Sequence, residues 1–408
     1  MLANLLVCLA VCVSNWPLVL STRRVQNLTV HPTDVRVEVN ETANITYQSK
    51  VPLESDVRLY LNQSEYFKTS SHVTLAKSTG RGVLSITGRK LISLTHLEVA
   101  TCTSQRNTTK CNLNIADAFV RVTVIKSQLI HLFTIIVGWM YFAAWSLSFY
   151  PQIILNFRRK SVTGLNFDFL LLNIIGFAAY SIYNMLMYFD TNVQDHYKEK
   201  HPKSPIPVLL NDVVFAVHAF LACVVTAIQC FLYERENQRV SRTCMVLSTI
   251  LILLAAFAGL ANFLELLNVL QFVITFSYIK MIVTLSKYFP QTFFNFKRKS
   301  TVGWSIGNVL LDFTGGSLDI LQMVLQCINV DDWVAFYGNP VKFGLGLVSI
   351  IFDIIFMLQH YVLYRGVKVV HAEYEGVENP VSPQSPETPT QNHEVVNHVQ
   401  DPILNVQF

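Results

Sequence analysis

Charge is what this chain lacks most. Only 14% of its 408 residues are Asp, Glu, Lys or Arg, against about 25% in an average soluble protein. The deficit lies between residues 128 and 364, which are dominated by long apolar runs. Absent too are any His, Cys or carboxylate grouping with metal-ligand spacing, a phosphate-cradling glycine loop, and a nucleophile elbow. The expectation is therefore a protein with no metal and no cofactor, and an enzyme reading has nothing to stand on. His131, His218 and His360 sit singly on apolar stretches, where a satisfied core histidine is the expected role. Net charge is +4, and no basic stripe with interleaved aromatics points to nucleic acid as a partner.

What is present divides the chain. Residues 1–21 form an apolar run followed by Arg23 and Arg24, and read as a signal peptide without its usual basic start. A signal anchor or a first membrane helix is the competing reading, although Ser14, Asn15 and Pro17 interrupt such a span. Residues 22–125 hold every N-x-[ST] sequon of the chain, at Asn27, Asn40, Asn44, Asn62 and Asn107, which marks a glycosylated lumenal domain. In an oxidising lumen Cys102 and Cys111 can pair. Alternation at Val35, Val37 and Val39, and again at Val120, Val122 and Val124, has the period of two of a β-sandwich. Cys223, Cys230, Cys244 and Cys327 fall in or near apolar runs and read as buried structural thiols.

Seven stretches, at 128–150, 165–188, 209–233, 243–263, 266–289, 303–325 and 341–364, each offer the roughly 20 residues a spanning helix needs. Basic residues follow the first, third, fifth and seventh: Arg158, Arg159 and Lys160; Arg235, Arg239 and Arg242; Lys297, Arg298 and Lys299; Arg365 and Lys368. The positive-inside rule places these ends in the cytosol, hence the N-terminus in the lumen and the C-terminus in the cytosol. Residues 367–408, rich in Pro, Gln, Thr, Asn and Glu, form a cytosolic tail that cannot build a core.

The apolar region repeats itself. Residues 149–176 and 288–315 agree at 11 of 28 positions without a gap, including the Pro-Gln pairs Pro151-Gln152 and Pro290-Gln291. Both copies run from lumen to cytosol, so the repeats are parallel: one at 126–240, a linker helix at 241–264, and a second repeat at 265–366. This 3+1+3 layout suggests an all-α bundle of seven transmembrane helices, SWEET-like, whose halves rock around a shared site. Each proline weakens its helix and offers a hinge, and Gln152 and Gln291 are free to bond the released carbonyls or a substrate.

Buried charge needs a reason in a bilayer. Asp312 lies nine residues into the sixth stretch, about 14 Å along a helix and near the midplane. Asn308 precedes it by one turn, and the repeat sets Asn173 at the equivalent position. Lys280 and Lys287 could hold the anionic end of a zwitterion whose cationic end meets Asp312. Asp212 is either an N-terminal cap or a second protonatable group, and Asp353 lies mid-span with a structural and a functional reading both open. Asp168 and Asp319 are nearer helix ends and are expected to be solvated. Lys287 could also snorkel to the interface.

FYPQ and YFPQ within seven spans resemble the PQ-loop transporters. NDVVFAVHA, SYIKMIVTLSKYFPQ and GWSIGNVLLDFTGG resemble the lysosomal, proton-coupled cystine exporters of that family, over residues 128–366. The resemblance implies L-cystine and protons as partners within a lipid bilayer. It implies Asp312 as the proton-coupling, substrate-facing acid and Asp212 as a second coupling acid. Asn173, Lys280, Lys287, Gln291, Asn295 and Asn308 match polar positions of the family's cavity. The family's usual Gly-Tyr-Asp-Gln-Leu sorting signal is missing; Tyr374 to Val377 offers a Tyr-x-x-apolar signal that a clathrin adaptor could read. A cationic amino-acid exporter of the same family and a seven-helix receptor remain alternatives. YERENQ only weakly echoes a receptor motif, and the tandem repeat argues against one.

Overall fold

The computed structural model describes residues 28–104, 111, 113–115, 118–201, 203–333 and 340–365, those of 340–345 by backbone alone. The expected signal peptide, Asn27, Asn107, the tail and Tyr374–Val377 lie outside the described residues. Nine strands come first: β1 (Leu28–His31), β2 (Asp34–Glu38), β3 (Thr42–Ser49), β4 (Val57–Leu61), β5 (Phe67–Thr69), β6 (His72–Leu75), β7 (Arg81–Gly88), β8 (Ile92–Ser104) and β9 (Phe119–Ile125). They form two sheets, β1-β3-β7-β5 and β2-β9-β8-β4-β6, antiparallel except for the β2–β9 pair. The period of two is physical. Along β4, Val57, Leu59 and Leu61 turn inward while Arg58 and Tyr60 face out. Leu28, Ile45, Leu59, Leu75, Ile86 and Leu97 close the core of this sandwich. Cys102 and Cys111 are joined by a disulfide. Asn40 and Asn44 are exposed, whereas Asn62 is half-buried and its amide clasps β8, donating to His96 O and accepting from Glu98 N.

Ten helices follow among the described residues: α1 (Gln128–Leu147), α2 (Tyr150–Arg159), α3 (Phe167–Phe189), α4 (Thr191–Lys200), α5 (Leu210–Leu232), α6 (Arg242–Phe263), α7 (Val269–Ser286), α8 (Tyr288–Arg298), α9 (Ile306–Val330) and α10 (Pro340–Leu358), the last running into a π-turn at Gln359–Leu363. Six spans are long and apolar enough to cross a membrane, with α1–α2 and α7–α8 each counted as one bent span. The seventh expected span, α9, is a 25-residue helix that falls short of that apolar standard. It carries Asn308, Asp312, Asp319, Gln322 and Gln326 on a helix packed against α1 and α10. Polarity inside a bundle, not exposure, explains the deficit. The fold is thus a helical membrane bundle with an N-terminal β domain.

Both helix breaks lie just before the prolines. The chain breaks at Ser148–Phe149, just before Pro151, and at Lys287, just before Pro290. A proline is tolerated in the first turn of a helix because its missing N–H would have had no partner there. The connection at 191–208 contains the polar helix α4, capped by Asp190.

The β domain is fastened to the helices by polar contacts. Asn329, near the end of α9, accepts from Ser127 N through its side chain at 2.9 Å and from Lys126 N through its carbonyl at 2.7 Å. Ser93 donates to Asp332 at 2.7 Å, Glu38 accepts from Gln128 N, and Lys203 pairs with Glu98 at 2.6 Å. The Arg121 guanidinium bridges Asp34 with both oxygens and holds that carboxyl below its ordinary range. His131, expected to be a satisfied core histidine, is half-buried and meets Arg36 of β2 at 2.5 Å. Arginine can only donate, so this imidazole must be neutral. Protonation would set two cations face to face. Backbone hydrogen exchange in β2 should therefore quicken in acid, and His131→Gln should remove the dependence. A pH-independent β2 in the native chain would contradict this contact.

Candidate functional site: a clasp and a charge cluster between two repeats

The two Pro-Gln segments lock each other. Gln152 donates to Asn156 Oδ1 at 2.8 Å and to Gly303 O of the other repeat at 3.0 Å, while its carbonyl accepts from Ser305 N at 2.8 Å. Gln291 does the same in reverse, donating to Asn295 Oδ1 at 2.8 Å and Gly164 O at 3.2 Å and accepting from Asn166 N at 2.8 Å. Asn156 then donates to Gln229 and Asn295 to Gln359, whose amides return to Ile153 O and Thr292 O. All six side chains are buried. The helices end at Lys160 and Lys299, both left-handed, and the following turns cross backbone to backbone. Gly164 and Gly303 have φ of +101° and +92°; a Cβ there would lie 2.0 Å from Val302 O or 1.8 Å from Thr163 O. Only glycine allows that crossing.

One turn before Gln291 the charge cluster begins. Lys287 sits at the break between α7 and α8, buried, and donates to Asn173 Oδ1 at 3.2 Å. Its neighbour Tyr288 donates to Asp312 Oδ2 at 3.2 Å and lies 2.7 Å from the Ser349 hydroxyl. Ser349 is also 3.4 Å from Asp312 Oδ2. Asp353, one turn along α10, is buried with one carboxylate oxygen lacking a partner among the described residues. Lys287 interacts electrostatically with both Asp312 and Asp353. Lys280 rests over the Phe177 ring at 3.9 Å, in electrostatic reach of Lys287 and Asp312. Asp312 itself is only half-buried, which leaves it approachable. Its backbone carbonyl accepts from Trp145 Nε1 at 3.3 Å, and Gly315 packs so tightly on that indole that a Cβ would lie 2.4 Å away.

The sequence residues therefore divide. Asn173, Lys280, Lys287, Asp312 and Asp353 come together, with Asn308 half-exposed one turn before Asp312. Gln291 and Asn295 are brought into the clasp, where their amides are fully engaged by the protein. Asp212 lies in the first turn of α5, bonding back to Leu209 N at 2.8 Å, and interacts electrostatically with Tyr141 and Tyr180. Asp312 is the seventh residue of α9, about 9 Å from its start, so it sits nearer the basic-turn end than the midplane position expected. Asp168 and Asp319 are buried, not solvated; Asp168 accepts from Ser241 N at 2.7 Å. Ser349 carries no charge and no motif, and Tyr288, which opens the YFPQ motif, carries no charge, so sequence reasoning passed over both. Asn156 had a signal, its repeat equivalence to Asn295.

These features, two parallel Pro-Gln repeats meeting over a buried mixed-charge cluster, define a PQ-loop membrane protein, and the PQ loop repeat model matches residues 133–193 and 272–332. The chain is 54% identical to the cystinosin homolog of Caenorhabditis briggsae over 87% of this chain and 88% of that protein. It is 45% identical to Drosophila melanogaster cystinosin over 83% and 84%, and 30% identical to a cystine transporter of Saccharomyces cerevisiae over 56% and 93%. The chain belongs to the cystinosin family, whose named members are transporters, not enzymes.

Because the clasp is reciprocal, its two halves should contribute equally. Gln152→Ala strands the buried Ser305 N–H, and Gln291→Ala strands that of Asn166, each at about 1–3 kcal/mol. Thermal unfolding of the purified protein should shift down by similar amounts for both. A marked difference between them would contradict the reciprocity.

Proposed function

We propose that this protein carries L-cystine from the lysosomal lumen to the cytosol together with a proton, by alternating access around the Asp312 cluster. The observation that carries the reading is one acid and one cation held side by side at the seam of the repeats: Asp312 by Tyr288 and Ser349, Lys287 by Asn173. Cystine bears an ammonium and a carboxylate at each end. A zwitterionic end can place the ammonium on Asp312 and the carboxylate on Lys287 or Lys280, and neither charge is then buried alone. The names of the relatives support cystine as the substrate.

Alternating access needs one closed side at a time. The clasp seals the end that bears the basic turns, which the charge rule assigns to the cytosol. In our reading the described conformation therefore faces the lumen. Protonating Asp312 removes a charge whose enclosure opposes closure, and release of that proton to the cytosol restores the carboxylate for the return. Asp353 shares the field of Lys287 with Asp312 and is assigned as a further proton-coupling acid; Asp212 stands nearer the lumenal approach as a relay. Delivery to the lysosome is assigned to Tyr374 and Val377, read by a clathrin adaptor.

Asp312→Asn should abolish uptake of radiolabelled cystine driven by outside acid in cells carrying the protein at their surface, at unchanged surface abundance. Undiminished acid-driven uptake would contradict the role of Asp312. Excess lysine or arginine should not compete; competition would favour a cationic amino-acid carrier instead.

A further inference from the structure

Residues 233–241, between α5 and α6, frame a cavity that no residue of the charge cluster lines. A cleft of about 470 Å3 opens between α3 and α5, walled by Phe167, Ile174 and Phe231 and rimmed by Arg235 and Arg239. It lies at the ends of apolar helices, beside a basic connection. In a bilayer an apolar cleft at this depth is not filled by water, because the bulk phase beside it is hydrocarbon. The Arg235 and Arg239 side chains make no hydrogen bond or ion pair among the described residues, and both residues are exposed. Glu236, also at the rim, interacts with Arg298. The rim therefore presents two guanidinium groups at headgroup level above a hydrocarbon-lined wall.

We propose that this cleft is a binding site for an anionic glycerophospholipid of the cytosolic leaflet, one acyl chain against Phe167, Ile174 and Phe231 and the phosphate between Arg235 and Arg239. Basic pockets between helices on the cytosolic side select anionic headgroups, and guanidinium matches phosphate by paired hydrogen bonds. The site is wired to the clasp. Gln238, in the same rim, donates to Val162 O and Leu165 O at 3.4 and 3.2 Å and accepts from Gly164 N at 3.0 Å. A lipid that orders this segment therefore steadies the first crossing turn. The inference rests on the membrane orientation and not on the substrate, so it can fail while transport stands.

The test is native mass spectrometry of the full-length protein with phosphatidylserine or phosphatidylcholine of identical acyl chains. The native chain should retain phosphatidylserine preferentially. The R235Q/R239Q double variant should retain it about thirtyfold less, the loss expected for two near-surface cationic contacts. K297Q/K299Q, which removes equal charge from the other basic turn, should leave retention unchanged. Equal retention of both lipids by the native chain would overturn the site. So would unchanged retention in R235Q/R239Q, or an equal loss in K297Q/K299Q, which would mean diffuse surface charge.

Discussion

Two glutamines and two glycines set the geometry on which everything else depends. Each glutamine leaves its own repeat to satisfy the backbone of the other turn, and each glycine lets that turn approach without a side chain between them. Backbone donors buried at such a crossing must find partners or cost a few kcal/mol each. Meeting them from the opposite repeat makes closure all-or-none: the two halves approach together or leave four amide contacts unmade. Under the proposed alternating access this crossing would serve as the bistable element.

The clasp also places the charges. Pro290 ends α7 one residue before α8, and the break is occupied by Lys287. Tyr288 and Gln291 follow within one turn, so a single short helix delivers the cation, the hydroxyl that holds Asp312 and the lock. Motion at the hinge must therefore move the cluster and the clasp in one piece. The equivalent break in the first repeat carries Ser148, which bonds its own helix at Trp145 O. The repeats share a frame and differ in chemistry, and the asymmetry is what makes a site with both signs.

Much of this was legible in the sequence because repetition and periodicity are physical. The period of two in Val120, Val122 and Val124 placed β9 in a sandwich, and the Pro-Gln pairs mark both helix breaks. The pairing of Asn173 with Asp312 through the repeat led to the cluster. What stayed hidden depends on contacts between distant segments. Gln229 and Gln359 are 359 − 229 = 130 residues apart, while the Pro-Gln pairs are 139 apart, so the last members of the lock fall out of register. The extra residues of the 191–208 connection, which holds α4, account for that shift in kind. Tyr288 and Ser349 are ordinary residues until α8 and α10 meet. Arg36 and His131 lie 95 residues apart and share nothing but the junction.

The central claim is that the crossing of the two turns opens and closes during transport. Spin labels at Lys160 and Lys299, both exposed at the ends of α2 and α8, would report it by pulsed dipolar spectroscopy of the protein in lipid nanodiscs. The account predicts a short separation at rest and a second, longer one that gains population when cystine and acid are supplied together. A single short distance under every condition that supports flux would contradict it.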